Sequence, residues 1–351
     1  MKKLHFRPDV STGTLSENDA KKYFSTVGFA VFAFLFVSYG VSFLASLLLD
    51  RFAPHLLENI AIQNGLSFIV QYGIALPAAF LILKRLPKDT NPSEGMSFGS
   101  FLGGLCVAFT FMYVGNSIAE LIITLLESGL GREIINPVES SATQADFITN
   151  LVFFAILAPV VEELVFRKLI CDRLLPLGEG YTVVLSAAIF GLVHGNLYQF
   201  FYAFLTGLLF STVYVRTGRI RYTVIYHVII NFLGGVLVPW AYERLSPILT
   251  EEKLAELSEV LRVGDAAAME ALAEELSPYM LPAAIFSAYE LIFSLMAMIG
   301  VFVFTSALRK IKFRSGLLPP PKKGRLANVF CNTGVALSIA AFAVIFSLSL
   351  L

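Results

Sequence analysis

Charge is scarce in this 351-residue chain: Asp, Glu, Lys and Arg make up only 15% of it, against about 25% in a typical soluble domain. That shortage argues against a water-soluble globular fold. Cysteine is equally sparse. Cys106, Cys171 and Cys331 are odd in number, scattered and set in apolar runs. This pattern argues against a disulfide framework and a thiolate metal site, and the three read as small apolar fillers. Formal net charge is zero, and no basic face stands apart from clusters that flank apolar runs. Nucleic acid is therefore not expected as a partner. No internal repeat or low-complexity tract is evident. The polar residues 1–23 precede a first apolar run longer than a signal-peptide core, which predicts an uncleaved start.

What the chain does contain is apolar sequence, with 56% hydrophobic residues. A helix that crosses a bilayer needs roughly 20 mostly apolar residues, and a helix satisfies its own backbone in lipid. The fold class predicted is an all-α polytopic membrane protein with about nine transmembrane helices. The candidate spans are approximately 24–49, 64–83, 98–126, 146–171, 181–196, 198–215, 222–242, 279–307 and 328–350. The fifth and sixth look short and are joined through His194-Gly-Asn-Leu-Tyr198.

Basic residues concentrate in alternate loops, as cytoplasmic loops do. Lys2, Lys3, Arg7, Lys21 and Lys22 precede the first span, and Lys84, Arg85 and Lys88 follow the second. Lys168 and Arg173 end the fourth, Arg216, Arg219 and Arg221 follow the sixth, and seven bases between Arg309 and Arg325 follow the eighth. The other loops are poor in base. This alternation predicts an integral, multi-pass protein with a cytoplasmic N-terminus and its C-terminus outside.

Residues 250–277 differ from the rest, carrying eight acidic side chains against Lys253 and Arg262. Leu254, Leu257 and Leu261, then Met269, Leu272 and Leu276, recur at helical spacing on either side of Gly264. The pattern predicts an external acidic insertion of two amphipathic helices broken at Val263-Gly264-Asp265. Its plainest role is a solvated hairpin connecting two spans; a lid or docking surface is the functional alternative. The stretch Gly316–Arg325 reads as a stiff, Pro-rich basic linker lying against anionic headgroups.

Within the apolar sequence one cluster stands out, Pro159-Val-Val-Glu162-Glu163-Leu-Val-Phe-Arg167. Ionisable groups inside a bilayer cost about 2.5–3.5 kcal/mol each on insertion scales and mark functional sites by default. Glu163 and Arg167, four apart, share a helix face, while Glu162 is turned away by about 100°. Arg167 can neutralise Glu163 and leave Glu162 facing a cavity as a general base. Pro159 predicts a kink or a new helix start, which would put both carboxylates in a first turn. Two further pairs sit at four-residue spacing in other spans: Phe190 with His194, and His227 with Asn231. A lone intramembrane histidine is usually a packing residue, but two of them beside a Glu pair point to hydrolysis. The carboxylate can deprotonate water, the imidazoles can hold that water or protonate a leaving amine, and Asn231 can donate to an oxyanion. Glu162, His194 and His227 also match the ligand set of a catalytic zinc site, assembled from three helices. Glu120 and Glu290, alone in the third and eighth spans, read as locally satisfied, with Glu290 a candidate to line the cavity.

Taken together, Glu162-Glu163-x-x-x-Arg167, Phe190-x-x-x-His194 and His227-x-x-x-Asn231 resemble the CAAX-processing and bacteriocin-processing (Abi) intramembrane proteases, relatives of the type II CAAX prenyl endopeptidases. The resemblance covers about residues 150–235. It implies that Glu162 activates the water with His194 and His227 assisting, that Asn231 stabilises the oxyanion, and that Glu163 and Arg167 organise the site. Lys168 departs from the glycine often found after the motif arginine. The expected substrate is a membrane-associated or lipid-anchored polypeptide in the bilayer, in a bacterial cell membrane, and zinc is the one cofactor to consider. On this reading residues 1–145 hold the N-terminal segment and three spans, 146–242 a catalytic four-helix core, 243–278 the acidic insertion and 279–351 two further spans. The alternative functions are a non-catalytic immunity or scaffold protein of the same fold and a proton-coupled transporter, the latter disfavoured by the missing repeats. Because the motifs start at different distances from their loops, convergence calls for tilt, a short fifth helix or a dipping loop. The cavity is expected to open toward the cytoplasmic side.

Overall fold

The computed structural model describes residues 3–91, 93–137 and 145–350. Lys2, counted above among the N-terminal bases, lies outside them. The described residues form helices and one isolated bridge, between Gly178 and Ser315. The helices are α1 (Glu17–Phe52), α2 (Ile60–Leu83), α3 (Phe98–Leu130), α4 (Phe147–Leu177), α5 (Glu179–Leu192), α6 (Leu197–Thr217) and α7 (Ile220–Ile248). They continue with α8 (Glu251–Val263), α9 (Ala266–Leu276), α10 (Met280–Leu308) and α11 (Thr333–Ser349). Seven stretches among the described residues are long and apolar enough to cross a membrane: α1, α2, α3, α4, α6, α7 and the run from α9 into α10. The remaining two candidate spans are present as shorter apolar helices, α5 and α11. The expectation that the sixth span is short is not met, since α6 has 21 residues.

Local sequence explains the ends. Ser16, Ser97, Asn196 and Asn332 cap their helices by accepting a backbone N–H, the usual answer to the unpaired donors of a first turn. The acidic insertion breaks where its sequence says. Gly264 closes α8 with φ +70°, and Asp265 caps α9.

Three of the prolines inside long helices each come just after a π-helical turn: Pro77 after Ile69–Ala75, Pro159 after Asn150–Leu157, and Pro239 after Leu233–Leu237. A proline lacks the N–H for the ordinary ladder, and the wider turn absorbs the missing bond without ending the helix. α4 therefore runs through Pro159 unbroken. Glu162 and Glu163 sit in mid-helix and not in a first turn, so no helix N-terminus stabilises them.

α4 is the hub. It touches α2, α5, α6 and α7, while α3 packs on α6 and α10, and α1 on α2 and α11. One end of the bundle is closed by backbone. Leu4 N–H donates to Arg85 O at 2.9 Å, Leu15 N–H to Pro319 O at 2.8 Å, and Leu318 N–H to Pro176 O at 2.7 Å. The start of the Pro-rich stretch is docked on the bundle as a strap, with Leu318 and Pro320 buried, while its bases Lys322, Lys323 and Arg325 are exposed. Gly316 fits flush against Pro176 O and Gly178 N, where a Cβ would collide with backbone.

Candidate active site

α4 turns Glu162 and Glu163 in different directions. Glu163 is fully buried. Arg167, one turn on and equally buried, donates Nε–H to Glu163 Oε2 at 2.8 Å and Nη2–H to Oε1 at 3.3 Å. Its Nη1 donates to Ser186 Oγ of α5 at 3.1 Å and to Ser211 Oγ of α6 at 2.7 Å. The guanidinium carbon also lies 5.6 Å from the Phe190 ring centre and 5.8 Å from that of Phe210. One arginine thereby ties three helices together, and its planar fork suits the bidentate contact.

Glu163 Oε1 meets the ring of His227, on α7, at Nδ1, 3.3 Å away. An ionised carboxylate only accepts, so Nδ1 carries the proton and Nε2 is left to face the cavity. That Nε2 lies 3.8 Å from Glu162 Oε2, an ion-pair distance and not a hydrogen bond. His194 hangs in the turn beyond α5, where Nδ1 is 2.8 Å from Phe190 O. The carbonyl must accept, so His194 also presents Nε2. Phe190 packs edge-on to both imidazoles, with centroid distances of 5.1 Å to His194 and 5.7 Å to His227.

Asn231, one turn beyond His227, donates from Nδ2 to Phe154 O at 2.9 Å, leaving its second amide hydrogen available. Glu162 keeps one direct partner of its own, Tyr72, whose Oη donates to Oε1 at 2.9 Å. Tyr72 comes from α2, outside every motif named above. Its only trace in the sequence is the polar pair Gln71-Tyr72 in an apolar run. Ser186 and Ser211, too, carry no motif, and their role shows only once α5 and α6 flank Arg167.

Convergence is achieved by the short fifth helix. α5 rises only about 21 Å at 1.5 Å per residue, so its turn, and His194 with it, stops inside the bundle. Gly195 in that turn has φ +70°, and a Cβ there would lie 2.8 Å from both Tyr39 Oη and Ile345 Cγ2. The positive φ favours glycine, and a Cβ would oblige the Tyr39 and Ile345 side chains to shift.

Glu162, His194, His227 and Asn231 all line one cavity of about 930 Å³, whereas Glu163 and Arg167 do not. The three proline-associated π turns line it as well, through Gln71 and Tyr72, Phe153 and Phe154, and Gly234 and Gly235, and so does a fourth π turn, Leu164–Cys171, through Val165, Phe166 and Ile170. Toward the strapped end its lining is buried and apolar, with Ala79, Leu83 and Ile170. Its exposed lining, including Ser42, Ser67, Asn116, Glu120 and Gly234, lies toward the opposite end. At the basic end the N-terminal segment and the strap pack over the bundle. Of the two lone acids, Glu120 lines the cavity and Glu290 is not among its lining residues.

The trio named for zinc shares this cavity wall. Even so, among the described residues no group of three or more His, Cys, Asp or Glu side chains lies at ligating spacing.

Comparison with known proteins bears on the same stretch. Residues 144–233 match the family profile described as type II CAAX prenyl endopeptidase Rce1-like. The chain is 28% identical over 186 residues to "Putative membrane peptidase YdiL" of Bacillus subtilis (strain 168), an alignment covering 50% of this chain and 72% of that protein. No solved structure matches the chain.

Proposed function

We propose that the chain, whose residues 144–233 match the profile of Rce1-like type II CAAX prenyl endopeptidases, is an intramembrane endopeptidase cutting a membrane-associated polypeptide. The observation that carries this reading is the division of labour in α4. Glu163 is neutralised by Arg167 and hydrogen-bonded by His227, while the neighbouring Glu162 faces the cavity without a cation of its own.

Glu162 takes a proton from a water whose second hydrogen is donated to His227 Nε2, with His194 Nε2 on the same cavity wall. The hydroxide adds to the scissile carbonyl carbon, and the free amide hydrogen of Asn231 donates to the oxyanion that forms. The C–N bond then breaks, the proton taken by Glu162 passes to the leaving nitrogen, and the carboxylic acid and amine that result exchange the remaining proton to leave as carboxylate and ammonium. Arg167 acts at one remove, by holding Glu163 and through it the proton on His227 Nδ1. Burial at mid-helix strengthens each of these interactions by excluding bulk water.

The test is cleavage of a quenched peptide library, with and without prenyl groups, by protein in lipid nanodiscs. Glu162→Gln should lower the rate by at least about 100-fold, the scale expected for loss of a general base. Cleavage that survives Glu162→Gln would overturn the assignment. Metal analysis of the same sample separates a carboxylate-activated water from a zinc-bound one: activity without stoichiometric zinc supports the former.

A further inference from the structure

The cavity is one-sided in charge. Its lining includes two carboxylates, Glu120 and Glu162, and two histidines, but no lysine or arginine. Glu162 is engaged by Tyr72 and faces His227. Glu120 has no such company: among the described residues nothing hydrogen-bonds to it or pairs with it. It stands ten residues before the end of α3, about 15 Å along a helix far longer than the hydrocarbon core. An exposed carboxylate on the cavity wall, with no cation of its own, can pair with a cationic group of a bound ligand.

The wall around it is built to make hydrogen bonds. Asn116 lies one turn from Glu120 on the same face of α3, and Asn64 and Gln199 line the cavity from α2 and α6. Asn64 Nδ2 is buried without any partner, an unmet donor of the kind that a bound group would satisfy. Carboxamides both donate and accept, as a peptide backbone requires.

We propose that Glu120 is a substrate-reading residue, which pairs with a lysine or arginine side chain of the polypeptide lying in the cavity. The inference rests on the peptidase reading and adds to it the charge of the substrate. A cationic side chain entering the exposed end reaches Glu120 before the scissile bond reaches Glu162. The uncharged amides on either side accommodate backbone without selecting sequence.

The experiment compares pairs of labelled 15-residue peptides that differ by Lys against Gln at one position, scanned along the best library substrate. At one position the parent should prefer Lys by about tenfold in kcat/KM, the scale of one charge-assisted hydrogen bond. In Glu120→Gln the Lys-to-Gln ratio should fall to about one, and Glu120→Lys should favour a Glu-containing peptide over both. The ratio is taken within one preparation, so a loss of folded protein does not mimic the result. A preference retained in Glu120→Gln, or no preference at any position in the parent, overturns the proposal. Binding of the same peptides to Glu162→Gln, followed by fluorescence anisotropy, separates the two hypotheses. If the parent cleaves nothing, the peptidase reading fails, and the Glu120-dependent difference in affinity still decides this one.

Discussion

Arg167 is wholly buried and donates to Glu163, Ser186 and Ser211 at once, so no other cation has the shape to replace it. Arg167→Ala leaves Glu163 charged and unpaired, and stability should fall by about 3–5 kcal/mol. Thermal unfolding followed through the single tryptophan, Trp240, measures this. Arg167→Lys keeps the charge but not the fork, and it should lower Tm less while still reducing cleavage, because His227 loses its fixed partner. Tyr72 makes a subtler prediction. Tyr72→Phe removes one hydrogen bond to Glu162 from an otherwise apolar contact, and kcat should fall about tenfold, the equivalent of roughly 1.4 kcal/mol. KM and Tm should stay near the parent's; a large Tm loss would make Tyr72 a packing residue. The sequence revealed one half of this arrangement and hid the other. Glu163 and Arg167 meet because they are four apart on one helix, which spacing alone discloses. Tyr72, Ser186 and Ser211 meet α4 from three other helices, and no local pattern encodes that.

At the scale of elements the prolines matter most, since each of the three lies beside a π turn that contributes to the cavity wall. The sequence marks Pro159 as a disturbance but not its form, because kink, helix start and π turn all begin from the same missing N–H. Pro159→Ala restores the donor, lets the ladder return to its ordinary register and rotates Asn150–Leu157 against Glu162. Activity should fall at least about tenfold while helical content and Tm hold or rise, since proline in a helix interior is itself unfavourable. Circular dichroism beside the cleavage assay checks both halves. The strap shows where pattern reading fails outright. Its prolines and bases read as a linker, yet Gly178 and Ser315 pair by backbone, and Glu179 accepts Arg314 N–H at 2.9 Å. Backbone pairing leaves little mark on side-chain periodicity. Gly316→Leu should therefore lower Tm by several degrees, about 1–3 kcal/mol of overpacking, although the residue looks like part of a linker.

For the molecule as a whole, hydropathy and charge located every long helix, because length and apolarity are properties of single segments. Where the cavity opens depends instead on what covers each end. The basic end is sealed by Leu4, Leu15 and Leu318 through backbone bonds, while Asn116 and Gly234 are exposed at the other. If basic loops face the cytoplasm, substrate enters from the far side of the membrane. Gly234 is the best probe, because a side chain added there meets nothing within 4 Å and should be tolerated. In a background with Cys331 replaced by serine, Gly234→Cys and Asn116→Cys should react with an impermeant maleimide added outside intact cells. Arg309→Cys, among the basic residues, should react only after lysis. The opposite pattern would place the mouth in the cytoplasm and return the expectation drawn from sequence. Gly234→Trp then links topology to function. It should lower kcat/KM for long peptides more than for short ones at unchanged Tm, since a bulky ring at the exposed end obstructs passage without touching Glu162 or the histidines.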